Sequence, residues 1–84
     1  MERENYIAQW KEVKAMTEGK TMAEVRSIFG NNITNDLVDE GIIDTNYKDI
    51  LVTFVEKEGK AVLHNYIECY SKEGIFLEVM VVNE

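Results

Sequence analysis

One cysteine, one histidine and nine Lys and Arg in 84 residues leave this chain short of several functional side chains. The lone Cys69 excludes a disulfide within the chain. Small secreted domains usually need such staples, so a reducing setting, the cytoplasm, is expected. His64 has no second histidine with which to share a metal ion. Sixteen Asp and Glu outweigh the bases and give a formal net charge of −7. That balance opposes a broad phosphate-binding surface, so direct nucleic-acid binding is not expected. No strictly apolar run exceeds four residues, the longest being Val79-Met80-Val81-Val82, so no membrane span is expected. Met1-Glu2-Arg3-Glu4-Asn5 offers no basic stretch leading into an apolar one, the pattern of a signal peptide.

Catalytic patterns are equally sparse. His64 and Cys69 are five residues apart on one expected strand, so they point to opposite faces and form no dyad. Asp44-Thr45-Asn46-Tyr47-Lys48 begins like a calcium loop. It fails where Lys48 replaces an oxygen ligand, Asp49 the turn glycine and Val55 the closing glutamate. There is no phosphate-cradling glycine loop and no nucleophile elbow. Neither an enzyme nor a cofactor or metal is expected.

What is present is the material of a globule, 45% hydrophobic and 30% charged, read as a single domain over 1–84. Tyr6, Ile7, Trp10, Val13 and Met16 recur at helical spacing, which predicts a helix over 6–17 capped by Asn5. Thr21-Met22-Ala23-Glu24 is a capping box that opens a second helix over 22–29, with Gly30 after it. Residues 33–49 fit a short helical turn capped by Thr34 and closed by Gly41, or an irregular strand, and the turn is preferred. Residues 50–56, 60–71 and 75–82 read as strands, separated by two copies of Lys-Glu-Gly at 57–59 and 72–74. The fold class is therefore α+β, with two N-terminal helices on one face of a three-stranded antiparallel meander.

If each Lys-Glu-Gly is a three-residue loop with glycine left-handed, Glu56 faces Lys60 and Ser71 faces Ile75. Leu51, Val55, Ala61, Leu63, Ile67, Cys69, Ile75, Leu77, Val79 and Val81 then form the core face. Phe54, His64, Tyr66, Tyr70, Phe76 and Met80 lie on the other, too apolar to be left to water. Either residues 33–49 fold over that face, or a protein partner or second copy covers it. The same register sets Glu68 opposite Glu78, splayed into solvent or bridged by a partner's base.

Charge is unevenly spread. Residues 1–30 hold five acids and five bases, so the remaining 54 carry the whole −7. Asp36, Asp39, Glu40, Asp44 and Asp49 crowd one segment beside Lys48 alone, with Glu68 and Glu78 further on. An acidic strip would steer a basic partner, and carboxylates could stand in for phosphates in a DNA-binding cleft. A winged-helix reading of 21–43 is the competing fold; its reading helix would carry Asp36, Asp39 and Glu40 and no base, which excludes DNA reading and leaves a winged-helix module for protein contact.

Gly19-Lys20-Thr21-Met22-Ala23-Glu24-Val25, then Ile28-Phe29-Gly30, precede Val52-Thr53-Phe54 and Gly59-Lys60-Ala61-Val62. This series resembles the turn, helix and hairpin of the superfamily of the SmpA/BamE assembly lipoprotein and the β-lactamase inhibitor proteins. The resemblance implies a protein-binding scaffold without catalysis. The combined expectation is a small acidic inhibitor or adaptor directed at a basic protein. The alternative is a subunit or small-ligand module using the aromatic sheet face.

Overall fold

The computed structural model describes residues 2–83. Helices α1 (Glu2–Thr17) and α2 (Met22–Phe29) lead through a 3-10 turn, Gly30–Asn32, into the strands. These are β1 (Ile33–Leu37), β2 (Ile42–Tyr47), β3 (Ile50–Lys57), β4 (Lys60–Leu63), β5 (Tyr66–Tyr70) and β6 (Phe76–Val81). They form one six-stranded sheet in the order β1-β2-β3-β5-β6, with β4 also paired to β3. Every pairing is antiparallel. β4 and β5 are two halves of a single passage beside β3, parted by a bend at His64 and Asn65. The α+β class and the antiparallel sheet are as expected, but the sheet is wider than a three-stranded meander.

The helices follow their local chemistry. At the start of α2 the Thr21 hydroxyl accepts from the Glu24 N–H at 3.2 Å. The Glu24 carboxylate in turn accepts from the Thr21 N–H at 2.9 Å. That reciprocal cap is worth about 1 kcal/mol to a helix too short to persist alone. α1 already runs from Glu2, so Asn5 lies inside it and is not its cap. Tyr6, Trp10 and Val13 are buried as their spacing requires, while Met16 is 38% exposed. Gln9 and Thr17 are buried instead, the latter with its hydroxyl bonded to the Val13 carbonyl at 2.8 Å.

Residues 33–49 extend the sheet and do not form the expected helical turn. Only Val38–Glu40 is helical, a 3-10 turn closed by Gly41 at φ 66°. A Cβ at that glycine would meet the Glu56 Cβ at 3.1 Å, so space as well as backbone angle favours glycine. β2 pairs with β3 along its whole length, Ile42 with Val55 through Tyr47 with Ile50. Ile43 and Thr45 thereby become fully buried. Tertiary pairing of β-branched residues outweighs the local capping signal. The winged-helix reading fails with it, since 33–43 holds strands and one three-residue 3-10 turn in place of a recognition helix.

The register differs by one residue at two places. Lys57 pairs with Lys60 and Phe54 with Leu63, so the first Lys-Glu-Gly makes a two-residue turn. Both of its central residues are left-handed, Glu58 at φ 52° and Gly59 at φ 79°. A one-residue slip turns a strand over, so Ile50, Val52 and Phe54 face the helices in place of Leu51 and Val55. The second Lys-Glu-Gly does form the three-residue loop. The Ser71 N–H donates to the Ile75 carbonyl at 2.8 Å, and the Gly74 N–H to the Ser71 carbonyl at 2.9 Å. One step later Tyr70 pairs with Phe76 but Cys69 with Glu78, so Leu77 is a bulge. The bulge turns over the rest of β6, burying Met80 and Val82 and exposing Val79 and Val81. Glu68 stands opposite Val79, not Glu78.

A glutamate at positive φ is strained, whereas asparagine tolerates that region. The substitution Glu58→Asn should stabilise the domain by about 0.5–1 kcal/mol in urea unfolding. A three-residue loop at 57–59 would leave residue 58 right-handed and the same change without effect.

Candidate functional site

Both helices pack on one side of the sheet, and the reverse side is open. Strand alternation places Leu51, Val55, Val62, Tyr66, Tyr70, Phe76, Val79 and Val81 there. Exposure is 51% at Phe76, 57% at Val79 and 61% at Val81, high for apolar side chains grouped on one surface. Tyr66 lies beside Val81, and the Tyr70 and Phe76 rings meet edge to face at 5.7 Å. Polar groups interrupt the surface in two places. The Asp44 carboxylate accepts from the Thr53 hydroxyl at 2.6 Å and the Asn35 amide at 3.3 Å. The Glu68 carboxylate accepts from the Tyr70 hydroxyl at 2.7 Å, which raises the phenol's pKa. Lys57 and Lys60 close the corner at the β3–β4 turn.

Of the residues expected on an apolar interface, Tyr66, Tyr70 and Phe76 are on this open face. His64 sits at the bend, its ring edge to face with Tyr66 at 5.0 Å. Its carbonyl accepts the Trp10 indole N–H at 2.9 Å. Phe54 and Met80 belong to the core, 0% and 2% exposed, because β3 and β6 are turned over. Leu51, Val55, Val79 and Val81, expected inside, take their place outside, and Ile75 and Leu77, also expected inside, are exposed at the loop and the bulge.

The seven acids do not make one strip. Three hold helices to the sheet. Arg26 of α2 donates from Nε at 2.7 Å and Nη2 at 3.1 Å to Asp36 of β1. This fork holds the Asp36 carboxyl below its ordinary pKa. The Gln9 amide of α1 donates to the Asp49 carboxylate at 3.0 Å, and the Gln9 oxygen accepts the Asp49 N–H at 3.0 Å. Arg3 reaches Glu78 at 3.3 Å on the surface. Asp39 and Glu40 sit exposed at the β1–β2 tip with no ion pair among the described residues. Of the seven, Asp44 and Glu68 are the acids that strand alternation places on the open face. Glu12, not singled out by sequence, accepts from the Tyr47 hydroxyl at 2.6 Å and from Lys48 at 2.9 Å.

Cys69 is fully buried, and burial pushes its thiol pKa up, the reverse of an activated nucleophile. Among the described residues no three His, Cys, Asp or Glu side chains are grouped so as to hold a metal ion. No helix among them is long and apolar enough to cross a membrane. A cleft of about 540 Å³ lies elsewhere, between the second half of α1 and β4, with Trp10, Lys60, Leu63 and Val82 in its walls.

Among the described residues three carboxylates titrate below their ordinary values: Asp36 through Arg26, Glu12 through the Tyr47 hydroxyl and Lys48, and Glu24 through the Thr21 N–H. A depressed folded-state pKa stabilises fully above the unfolded value and is lost as pH falls through the folded one. Urea midpoints should therefore drop as pH is lowered from about 5 to about 2. Asp36→Asn should lower the midpoint at neutral pH and make that acid drop shallower. No protein-family model, curated protein or solved structure matches this chain.

Proposed function

We propose that this chain is a non-catalytic protein-binding domain, an inhibitor or adaptor, that sets its open sheet face against a basic protein. The observation that carries this reading is an uncovered apolar sheet face with Asp44 and Glu68 within it and Asp39 and Glu40 at its tip. Aromatic and aliphatic side chains supply burial, and the carboxylates supply attraction and orientation.

Size bears on how the face is used. Strands spaced about 4.8 Å apart and about 20 Å long give five strand positions a footprint of about 500 Å². A stable interface buries about 800 Å² on each partner, so the acidic tip has to take part along with the face. Residues 31–84 carry eleven acids against four bases, which selects a positively charged target. Such a target includes the cleft of a nucleic-acid-binding protein, where carboxylates would occupy phosphate positions.

Immobilised chain should retain a basic protein from an extract of its native host at low salt and release it as salt or added DNA is raised. The combined substitution Asp39→Asn, Glu40→Gln, Asp44→Asn and Glu68→Gln should weaken retention by about 10-fold or more while the fold persists. Retention and salt dependence identical to the parent chain would count against the reading.

The cleft beside Trp10 favours a second reading, a site for a small molecule with an apolar body and an acidic group, placed between Trp10 and Lys60. Of the rings expected to line a cavity on the aromatic face, Phe54 is in the core, while Tyr66, Tyr70 and Phe76 lie on the open surface. Aromatic and aliphatic carboxylic acids should then raise the unfolding midpoint in a concentration-dependent way. No shift with any of them, while Lys60→Ala also leaves the midpoint unmoved, would remove this reading.

A further inference from the structure

We infer that β6 is the seam of a symmetric dimer, in which two copies pair β6 with β6 antiparallel about a two-fold axis at Val79 and continue one sheet through both. The inference does not depend on the acidic partner proposed above.

β6 is an edge, with β5 as its one neighbour in the sheet. Its backbone groups alternate in direction. The Val82 N–H donates to the Asn65 carbonyl at 2.6 Å, so Val82, Met80 and Glu78 turn their hydrogen-bonding groups toward β5. Val81 and Val79 turn theirs outward, where water or another strand must satisfy them. Edge strands are ordinarily protected by lysine, proline, short length or a bulge. β1, the opposite edge, is protected in this manner. Its register shifts between Ile33 and Asn35, and Thr34, Asn35 and Asp36 are polar, the last held by Arg26. β6 has no lysine, arginine or proline, and its bulge at Leu77 leaves the stretch from Glu78 to Val82 regular. Val79 and Val81 are the most exposed apolar residues along it, at 57% and 61%.

The strand is complementary to itself, and this favours a second copy over an unrelated partner. With Val79 on the axis, Val79 faces the partner's Val79, and Glu78 faces the partner's Met80. Glu78 is the only charged residue of the strand and already has Arg3 beside it. This register therefore opposes no like charges, and it sets β-branched side chains across from each other, a favourable cross-strand pairing. Each residue meets its counterpart by symmetry, the requirement of an isologous interface. The pairing uses main-chain groups at the edge, so the open faces of both copies lie side by side and stay accessible. Two chains of −7 repel, so added salt should tighten this association. Salt has the opposite effect on capture of a basic target, which separates the two ideas.

Sedimentation equilibrium of the full chain, from micromolar to about 0.2 mM, is the test, run at about 0.05 M and 0.5 M NaCl. The expected result is a monomer–dimer equilibrium that shifts toward dimer in the higher salt. Val79→Lys should abolish the dimer by placing two ammonium groups on the axis, with an unfolding midpoint close to the parent's because Val79 is exposed. Val62→Lys, on the open face away from β6, should leave the dimer intact. As a check independent of the lysine variants, Val79→Cys should be joined to its counterpart by a short bis-maleimide, since paired residues of that kind stand about 5.5 Å apart at Cα and the native Cys69 is buried. A chain that remains monomeric at the highest concentration and salt overturns the inference, whatever else then occupies the edge. So does a dimer broken by Val62→Lys and not by Val79→Lys, or a Val79→Cys chain that does not cross-link.

Discussion

The pairing of Lys57 with Lys60 across two left-handed residues governs what the rest of the sheet can bury. Side chains in a strand alternate with a period of two, so this single closure decides which half of β3 meets the helices. The half it selects is Ile50, Val52 and Phe54, each about 1% exposed or less. Burying a large apolar side chain is worth about 1.5–3 kcal/mol. Exchanging these three for Leu51, Thr53 and Val55 would thus cost several kcal/mol in a domain of ordinary marginal stability. The strain of Glu58 at φ 52° is smaller than that and is tolerated.

On this foundation the helices are located by a ring of polar ties around an apolar centre. The Trp10 indole marks the bend between β4 and β5, and Gln9 grips the β2–β3 turn at Asp49. Arg3, Glu12 and Arg26 reach Glu78, Lys48 and Asp36 at the margins. Exposed pairs of this kind contribute about 0–1 kcal/mol each, so their part is orientation more than adhesion. Two helices of 16 and 8 residues span about 24 and 12 Å, enough to roof one face of the sheet and not both.

Where structure depends on neighbours in sequence, it was legible. The capping box at Thr21, the stripe of Tyr6, Trp10 and Val13, the closing role of Gly41 and the loop at Gly74 could all be read from short-range chemistry. The orientation of β3 could not, because Lys-Glu-Gly accepts two loops. The three-residue form leaves glutamate right-handed and is locally the easier one, and the second copy adopts it. The first copy takes the strained form because the core behind β3 requires it. The bulge at Leu77 has no signature of its own, and it moved Met80 inward and Val79 outward. β1 and β2 became strands only because β3 offered an edge. Within the candidate site, Tyr66, Tyr70 and Phe76 were legible as a surface. The ties of Asp36, Asp49 and Glu78 to the helices were not legible, since Arg26, Gln9 and Arg3 lie 10, 40 and 75 positions away.

Cys69 gives the molecule an internal clock. It lies in β5 with its side chain sealed between the sheet and α1, it is the only thiol in the chain, and burial keeps it protonated. A thiol reagent can reach it only when the packing over it opens, so the rate of its modification follows the population of the open state, and the opening rate itself once the reagent outpaces reclosing. Loosening confined to the β1–β2 tip leaves the clock silent, whereas departure of α1 or separation of β6 from β5 sets it running.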